Sequence, residues 1–177
     1  MVENTRRTIP PDHPVHAVFR QLTERGMSQL DLRDTDTIQY VTNLLVDFID
    51  IENVHRIKDN TGQSLEYIFD ILEQAGQVVS PSARREHYRH LGDMTLYNLG
   101  LFPEALTYGR RTVSPDYYAE AGRRSYAIVA EMERSGRTVV FRKLSDQFER
   151  CVEGLRWVRL YIRDPFYQYM FREFQII

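Results

Sequence analysis

The sequence predicts a single all-α domain, a helical bundle of six or seven helices over residues 1–177. Apolar residues recur at the spacings of three and four that suit a helix, and the alternation typical of strands is almost absent. Two Ser-Pro pairs, Ser80-Pro81 and Ser114-Pro115, have the form of a helix start, with proline in the first turn where its missing amide hydrogen costs nothing. The 42% apolar content is sufficient for one core, and a chain of this length buries about 70% of its unfolded surface.

A loose arm over residues 1–12, interrupted by two adjacent prolines, precedes the first predicted helix. That helix runs from Pro14 to Arg25. Gly26 is expected to end it, because glycine is the residue most often found just beyond a helix. The inward face of this helix consists of Val15, Val18, Phe19 and Leu22.

The second and third helices are predicted from their caps and their apolar faces. Asp34 or Asp36 caps the second, because an aspartate oxygen accepts hydrogen bonds from the free amides of a first turn. Its apolar residues are Ile38, Val41, Leu44, Leu45, Phe48 and Ile49. Ser64 caps the third helix, and Gly76 is expected to end it in the left-handed conformation. Its inward residues are Leu65, Ile68, Phe69 and Leu72.

The two Ser-Pro pairs start the next two long helices. The first of these helices runs to about Leu99 and ends before a glycine and a proline. The second runs from Pro115 to Arg134 and is ended by Gly136. Between them, residues 104–111 form at most two helical turns.

The clearest apolar pattern lies near the carboxy terminus and predicts one long helix, the spine of the bundle. Its members are Phe141, Leu144, Phe148, Cys151, Leu155, Val158 and Ile162. Asp164-Pro165 breaks this helix, because proline cannot continue it. The aromatic tail over residues 164–177 is too apolar to remain in water, so it is expected to pack on the body or on a second copy of the chain.

Composition excludes several classes of protein. The amino terminus is polar, without a leader peptide, and no apolar run approaches the roughly 18 residues of a membrane span. With only one cysteine, the chain is expected to be cytoplasmic. It lacks the dense basic stripe of a nucleic-acid-binding protein. Residues 81–177 hold sixteen basic and twelve acidic side chains, a balance that favours a small anionic ligand or a protein partner.

The segment from Tyr88 to Tyr126 contains six of the eleven tyrosines and is the strongest candidate for a site. Its pattern reads Tyr88-Arg89-His90-Leu91-Gly92-Asp93, then Leu99-Gly100-Leu101-Phe102-Pro103-Glu104, then Tyr117-Tyr118, Gly122 and Tyr126. This pattern resembles a family of bacterial all-helical proteins with no assigned activity. The resemblance implies a bacterial helical protein and indicates no functional residues.

Two glycines in this segment favour a close contact between helices. Gly92 and Gly122 lie inside predicted helices, where each costs about 1 kcal/mol against alanine, so another backbone or a ligand is expected to approach them. If the two helices cross there, Asp93 faces Tyr118 or Tyr126. A carboxylate among phenols is either a binding site or a structural lock in which the hydroxyls satisfy a buried acid. The candidate ligand-binding residues are His87, His90, Asp93, Tyr117, Tyr118, Arg123, Arg124 and Tyr126.

A metal site is the alternative interpretation. His87 and His90 lie three residues apart, and Glu52 and His55 have the Glu-x-x-His spacing of di-iron bundles. Those bundles need a second such motif and two more inward glutamates, which the sequence does not provide. No haem-attachment motif, phosphate-binding glycine loop or Gly-x-Ser-x-Gly is present, and no cofactor is predicted.

Sequence therefore favours a non-catalytic binding or regulatory protein that uses the Tyr, Arg and Asp side chains of residues 88–126. The first alternative is a metal-dependent, di-iron-like oxidoreductase. The second is a structural homodimer with the aromatic tail as its interface. The Arg123-Arg124 pair is either part of a phosphate-binding or acidic-partner surface or a solvated helix face.

Overall fold

The computed structural model describes residues 8–58, 68–107 and 114–173. Within these ranges the chain forms nine α-helices and a 3-10 helix over Pro103–Thr107. The α-helices are α1 Pro14–Ser28, α2 Thr35–Asp47, α3 Ile51–Val54, α4 Ile68–Gln77, α5 Pro81–Leu101, α6 Pro115–Met132, α7 Thr138–Asp146, α8 Phe148–Arg163 and α9 Pro165–Glu173. The predicted all-α fold is confirmed, with more helices than the six or seven expected.

Local signals placed most of the helix starts correctly. Asp34 caps α2, with a carboxylate oxygen 3.0 Å from the amide nitrogen of Thr37. Both Ser-Pro pairs start helices, and the side chain of Ser114 accepts from the amide of Tyr117. The predicted cap Ser64 and its neighbour Leu65 lie outside the described residues, as do residues 1–7 of the arm and residues 108–111.

Helix α5 is the centre of the bundle. It packs against α4, α6 and α8, and every residue from His90 to Leu96 is buried. A helix that contacts neighbours on all sides has no polar face, so its apolar residues show little helical periodicity. The prediction that the carboxy-terminal helix is the spine was therefore wrong.

The predicted long carboxy-terminal helix is divided into α7 and α8 at Gln147, whose φ of −120° and ψ of 26° leave the helical range. Helix α7 packs against α2 and α6, whereas α8 packs against α1 and α5. Phe141, on α7, and Leu155, on α8, are both buried. The heptad spacing correctly identified the buried residues, but it continues across a bend that it does not reveal.

Two glycines that were predicted to end helices lie inside them instead, and a close helix crossing accounts for the first of these, Gly26. A Cβ on Gly26 would lie 2.5 Å from the carbonyl oxygen of Gly154, so α1 and α8 contact each other backbone to backbone. Helix α1 continues past Gly26 to Ser28, and α4 continues past Gly76 to Gln77. Neither glycine therefore ends its helix as predicted.

Helix α9 packs partly on the body. Phe171 is buried, and the hydroxyl of Tyr167 accepts a hydrogen bond of 3.1 Å from Arg25. Phe166 and Tyr169 on the same helix are exposed. The predicted homodimer through this tail stays a prediction. Within the described ranges, the helices are all too short or too polar to cross a bilayer.

The glycine contact between α1 and α8 can be tested with a matched pair of variants. Gly26→Ala is expected to lower the free energy of unfolding by about 1–3 kcal/mol, because the added methyl group overlaps a backbone carbonyl. Gly76→Ala is the control, since a Cβ there meets nothing within 4 Å and gains up to about 1 kcal/mol of helix propensity. Urea unfolding measures both changes. Equal effects in the two variants would contradict the close contact.

Candidate functional site

Asp93 lies at the junction of three helices and is only 6% exposed. Its Oδ1 accepts two hydrogen bonds, one of 2.7 Å from the hydroxyl of Tyr40 and one of 2.8 Å from the hydroxyl of Tyr126. Tyr40 belongs to α2, Asp93 to α5 and Tyr126 to α6. A single carboxylate oxygen therefore connects these three helices.

The glycine next to Asp93 gives Tyr126 its position. A Cβ on Gly92 would lie 2.8 Å from Cε1 of the Tyr126 ring, so only glycine lets that ring lie flat against α5. The hydroxyl of Tyr126 then reaches Asp93. Edge-to-face contacts fix the second phenol, because Tyr40 has its ring centroid 5.2 Å from that of Phe141 and 6.3 Å from that of Tyr126.

Burial dominates the electrostatics of this group. It raises the pKa of the Asp93 carboxyl, and the hydrogen bonds from Tyr40 and Tyr126 together with the charges of Arg89 and Arg56 offset only part of that rise. Burial, followed by the charge of Asp93, also raises the pKa of both tyrosines well above the ordinary value. Both phenols therefore stay protonated and act as donors.

The second carboxylate oxygen of Asp93 faces a cleft of about 500 Å³ between α2, α5 and α7. In the described part of the chain, Oδ2 receives no hydrogen bond, although it is not sealed from the cleft. Tyr40, Leu44, Val140 and Phe141 form the apolar and aromatic lining. The polar lining consists of Asp36, Gln39, Asn43, Asp47, Arg89 and Arg137. We call this space the Asp93 cleft.

Four charged side chains beside the cleft form a chain of ion pairs. Asp47 and Arg56 are 3.5 Å apart, Arg56 and Glu86 are 3.2 Å apart, and Glu86 and Arg89 are 2.6 Å apart. The two acids and two bases neutralise each other. Asp93 is not a member of this charge-balanced quartet.

The structure brings only part of the predicted site together. Asp93 and Tyr126 are bonded, as one of the two predicted pairings proposed. Tyr118 is buried but is not the partner of Asp93. Tyr117 and Arg124 lie on another side of the molecule, in a separate pocket of about 290 Å³ between α4, α5 and α6.

The remaining arginine of the predicted set, Arg123, lies on the surface of α6. It is paired with Glu120 on the same helix at 2.7 Å. An exposed pair of this kind contributes little to stability. It lies outside the Asp93 cleft.

The histidines of the predicted set have local bonding partners. His90 is fully buried, with Nε2 at 2.9 Å from the carbonyl oxygen of Val54 and its ring edge-on to Phe48. His87 has Nδ1 at 2.8 Å from the carbonyl oxygen of Ala83, one turn earlier. Neither lines the Asp93 cleft.

For the metal alternative, the second motif lies on and next to α3. Glu52 is in this helix and His55 is its carboxy-terminal cap. Among the described residues, no three or more histidine, cysteine, aspartate or glutamate side chains come together in a group that could hold a metal ion. The predicted metal set is not gathered around one point in these parts of the chain.

Tyr40 is the residue of the site that sequence reasoning missed. It lies 53 positions before Asp93 and outside the tyrosine-rich segment. Its one signal is the position of a phenol beside the apolar stripe of α2, between Ile38 and Val41. A buried tyrosine hydroxyl needs a hydrogen-bonding partner, but the sequence does not say which one.

Comparison with known proteins adds no identification. The chain matches no protein-family model, no curated protein and no solved structure. The resemblance to a family of bacterial helical proteins therefore stays a prediction. The geometry defines an all-helical protein with a buried acid, two phenols and an adjoining cleft.

The first prediction for this site concerns the bond between Tyr126 and Asp93. Tyr126→Phe is expected to lower the free energy of unfolding by about 1–2 kcal/mol and to raise the pKa of Asp93 further, because one donor to the ionised carboxylate is lost. Urea unfolding and a carbon-13 NMR titration of the carboxyl group measure the two effects. Tyr169→Phe, at an exposed position, is the control and should change neither. An unchanged pKa in Tyr126→Phe would contradict the bond.

A second prediction concerns the buried histidine. Burial, with a smaller effect from the charge of Arg56, lowers the pKa of His90 to about 3 from the ordinary 6.5. At pH values between these two pKa values, His90 is therefore protonated in the unfolded chain and neutral in the folded protein. In this interval, protonation of His90 in the unfolded chain should lower the free energy of unfolding by about 1.4 kcal/mol for each unit by which the pH falls.

The variant His90→Gln removes the group that binds this proton, and its side-chain amide can still donate a hydrogen bond to the Val54 carbonyl oxygen. Urea unfolding from pH 7 to pH 4 should give a shallower loss of stability in the variant than in the unmodified protein. Equal slopes in the two proteins would contradict a neutral buried His90.

Proposed function

We propose that this protein is a non-catalytic binding protein that holds a small molecule in the Asp93 cleft. The observation that carries the proposal is the different bonding of the two carboxylate oxygens of Asp93. Oδ1 is held by two phenols, and Oδ2 is presented to the cleft without a partner among the described residues. Because Oδ2 is open to the cleft, a bound ligand can donate a hydrogen bond to it, and a bond to an ionised acceptor is stronger than one between neutral groups.

The size of the cleft supports a ligand of low molecular weight. Its volume of about 500 Å³ lies within the range of about 300–1,000 Å³ that is typical of small-molecule sites. The combination of apolar and aromatic walls with a few polar groups is also typical of such sites. Because Tyr40 and Asp93 are already held in place by the fold, little conformational freedom is lost when a ligand binds.

The side chains of the cleft favour binding over covalent catalysis. The described lining contains no serine, cysteine, histidine or lysine that could serve as a nucleophile with a neighbouring base. Cys151 is buried on α8, and burial raises the pKa of its thiol to about 12, so it is protonated and unreactive. Asp93 is therefore proposed to hold a ligand rather than to take part in a covalent step.

The proposal is tested by filling the cleft. Asn43→Trp places an indole at an exposed position of the cleft lining, and it is expected to abolish the NMR shifts that bound fragments cause at Tyr40 and Val140. Val79→Trp, at a highly exposed position that does not line the cleft, is the control and should leave those shifts unchanged. Fragments with positive, neutral and negative charge should all be included. The proposal fails if no fragment of any charge shifts these residues, or if Asn43→Trp leaves the shifts intact.

A further inference from the structure

We infer that the group bound at Asp93 is a protonated nitrogen, an ammonium, amidinium or guanidinium, that donates a hydrogen bond to Oδ2. This inference rests on the proposed function, because it assigns a chemical class to the ligand of the same cleft. It departs from the anionic ligand that the charge distribution of the sequence favours. The reason is the second carboxylate oxygen of Asp93, which is open to the cleft and receives no hydrogen bond from the described residues.

The hydrogen bonds around Asp93 define the partner it needs. Oδ1 already accepts from Tyr40 and Tyr126, at 2.7 and 2.8 Å. Oδ2 is an acceptor whenever the carboxyl is ionised, and none of the described residues donates to it. An anionic ligand group at this point would meet a second acceptor of the same charge. A ligand that fits must therefore present a donor.

The balance of charge distinguishes a cationic donor from a neutral one. Arg56 and Arg89 are matched by Asp47 and Glu86 in the charge-balanced quartet, so their positive charges are already used by acids. Asp93 forms no ion pair with a described residue, and the charges of Arg89 and Arg56 act on it only from a distance. In a buried position, an opposite charge at hydrogen-bond distance stabilises a carboxylate far more than it would in water.

The aromatic lining of the cleft agrees with a cationic ligand, and the charges at its rim do not oppose one. The aromatic rings of Tyr40 and Phe141 line it, and the faces of such rings attract positive charge. Asp36 and Arg137, which are both exposed at the rim, have opposite signs, and neither forms an ion pair with another described residue. Their charges are screened by solvent, so the buried charge of Asp93 decides the preference.

The variant Asp93→Asn tests the inference at a single atom. Asparagine retains a carbonyl oxygen that can accept from both phenols, and it replaces Oδ2 with an amide nitrogen that donates. Asp12→Asn is the matched control, because it removes the same charge from an exposed position that does not line the cleft. Circular dichroism and urea unfolding of each variant verify that binding is compared between folded proteins.

Three probes of similar shape and different charge are titrated into each protein and followed by NMR at Tyr40 and Val140. They are benzamidine, which is cationic, benzyl alcohol, which is neutral, and benzoate, which is anionic. We expect the Kd of benzamidine to be lower than that of the other two by about tenfold or more. Asp93→Asn should remove this preference, whereas Asp12→Asn should change it by no more than about twofold.

The pH dependence gives an independent readout of the same contact. Asp93 faces Tyr40 from α2 and Tyr126 from α6, and the nearby charges are Arg89 on α5 and Arg56. Because burial raises the pKa of Asp93, benzamidine should bind more tightly as the pH rises and the carboxyl loses its proton. The Asp93→Asn variant should not show this change.

The possible results separate the inference from the proposed function. The inference is overturned if benzoate or benzyl alcohol binds as tightly as benzamidine, or if Asp93→Asn retains the preference for the cation. Either result leaves the proposed function in place, provided that Asn43→Trp still abolishes binding. If none of the three probes shifts Tyr40 or Val140 in the unmodified protein, both the inference and the proposed function fail.

Discussion

Two phenol hydroxyls bonded to one carboxylate oxygen hold the centre of this molecule together. A buried carboxylate on the central helix of a bundle is costly without hydrogen-bond donors, so the positions of Tyr40 and Tyr126 are constrained by Asp93. Gly92 admits one ring and Phe141 contacts the other. Helix α6 packs directly against α5, and the hydroxyl of Tyr40 links α2 to the same carboxylate oxygen.

Helix starts were predictable because their signals are local. A capping aspartate or a Ser-Pro pair acts within one turn, and Asp34 and Ser114 behave as their neighbours in the sequence indicate. Helix ends marked by glycine were not predictable in the same way. A glycine that ends a helix and a glycine that admits another helix look alike in a sequence, and Gly26 is of the second kind. The bend at Gln147 was hidden because the residues on both sides of it are equally buried.

The candidate site was predictable only where its residues share one helix crossing. Asp93 was predicted to face Tyr118 or Tyr126 because Gly92 and Gly122 indicated a contact between their helices, and the structure has the bond to Tyr126. Tyr40 joins from a helix far earlier in the chain, and no local pattern encodes that pairing. The cleft itself depends on where α7 lies relative to α2, which is a property of the tertiary structure. His90 shows the converse, since it lies in the same segment but is bonded to the Val54 carbonyl oxygen and does not line the cleft.

The crossing of α1 and α8 has a consequence for the order in which the chain acquires its structure. The contact joins Gly26 to Gly154, which are far apart in the sequence. Helix α1 can pack against α2 early in synthesis, but the part of its surface that meets α8 stays uncovered until α8 has been made. Contacts between distant parts of a sequence are slow to form, and the exposed intermediates are prone to aggregate. The growing chain is consequently exposed to aggregation through this surface of α1 until α8 has left the ribosome.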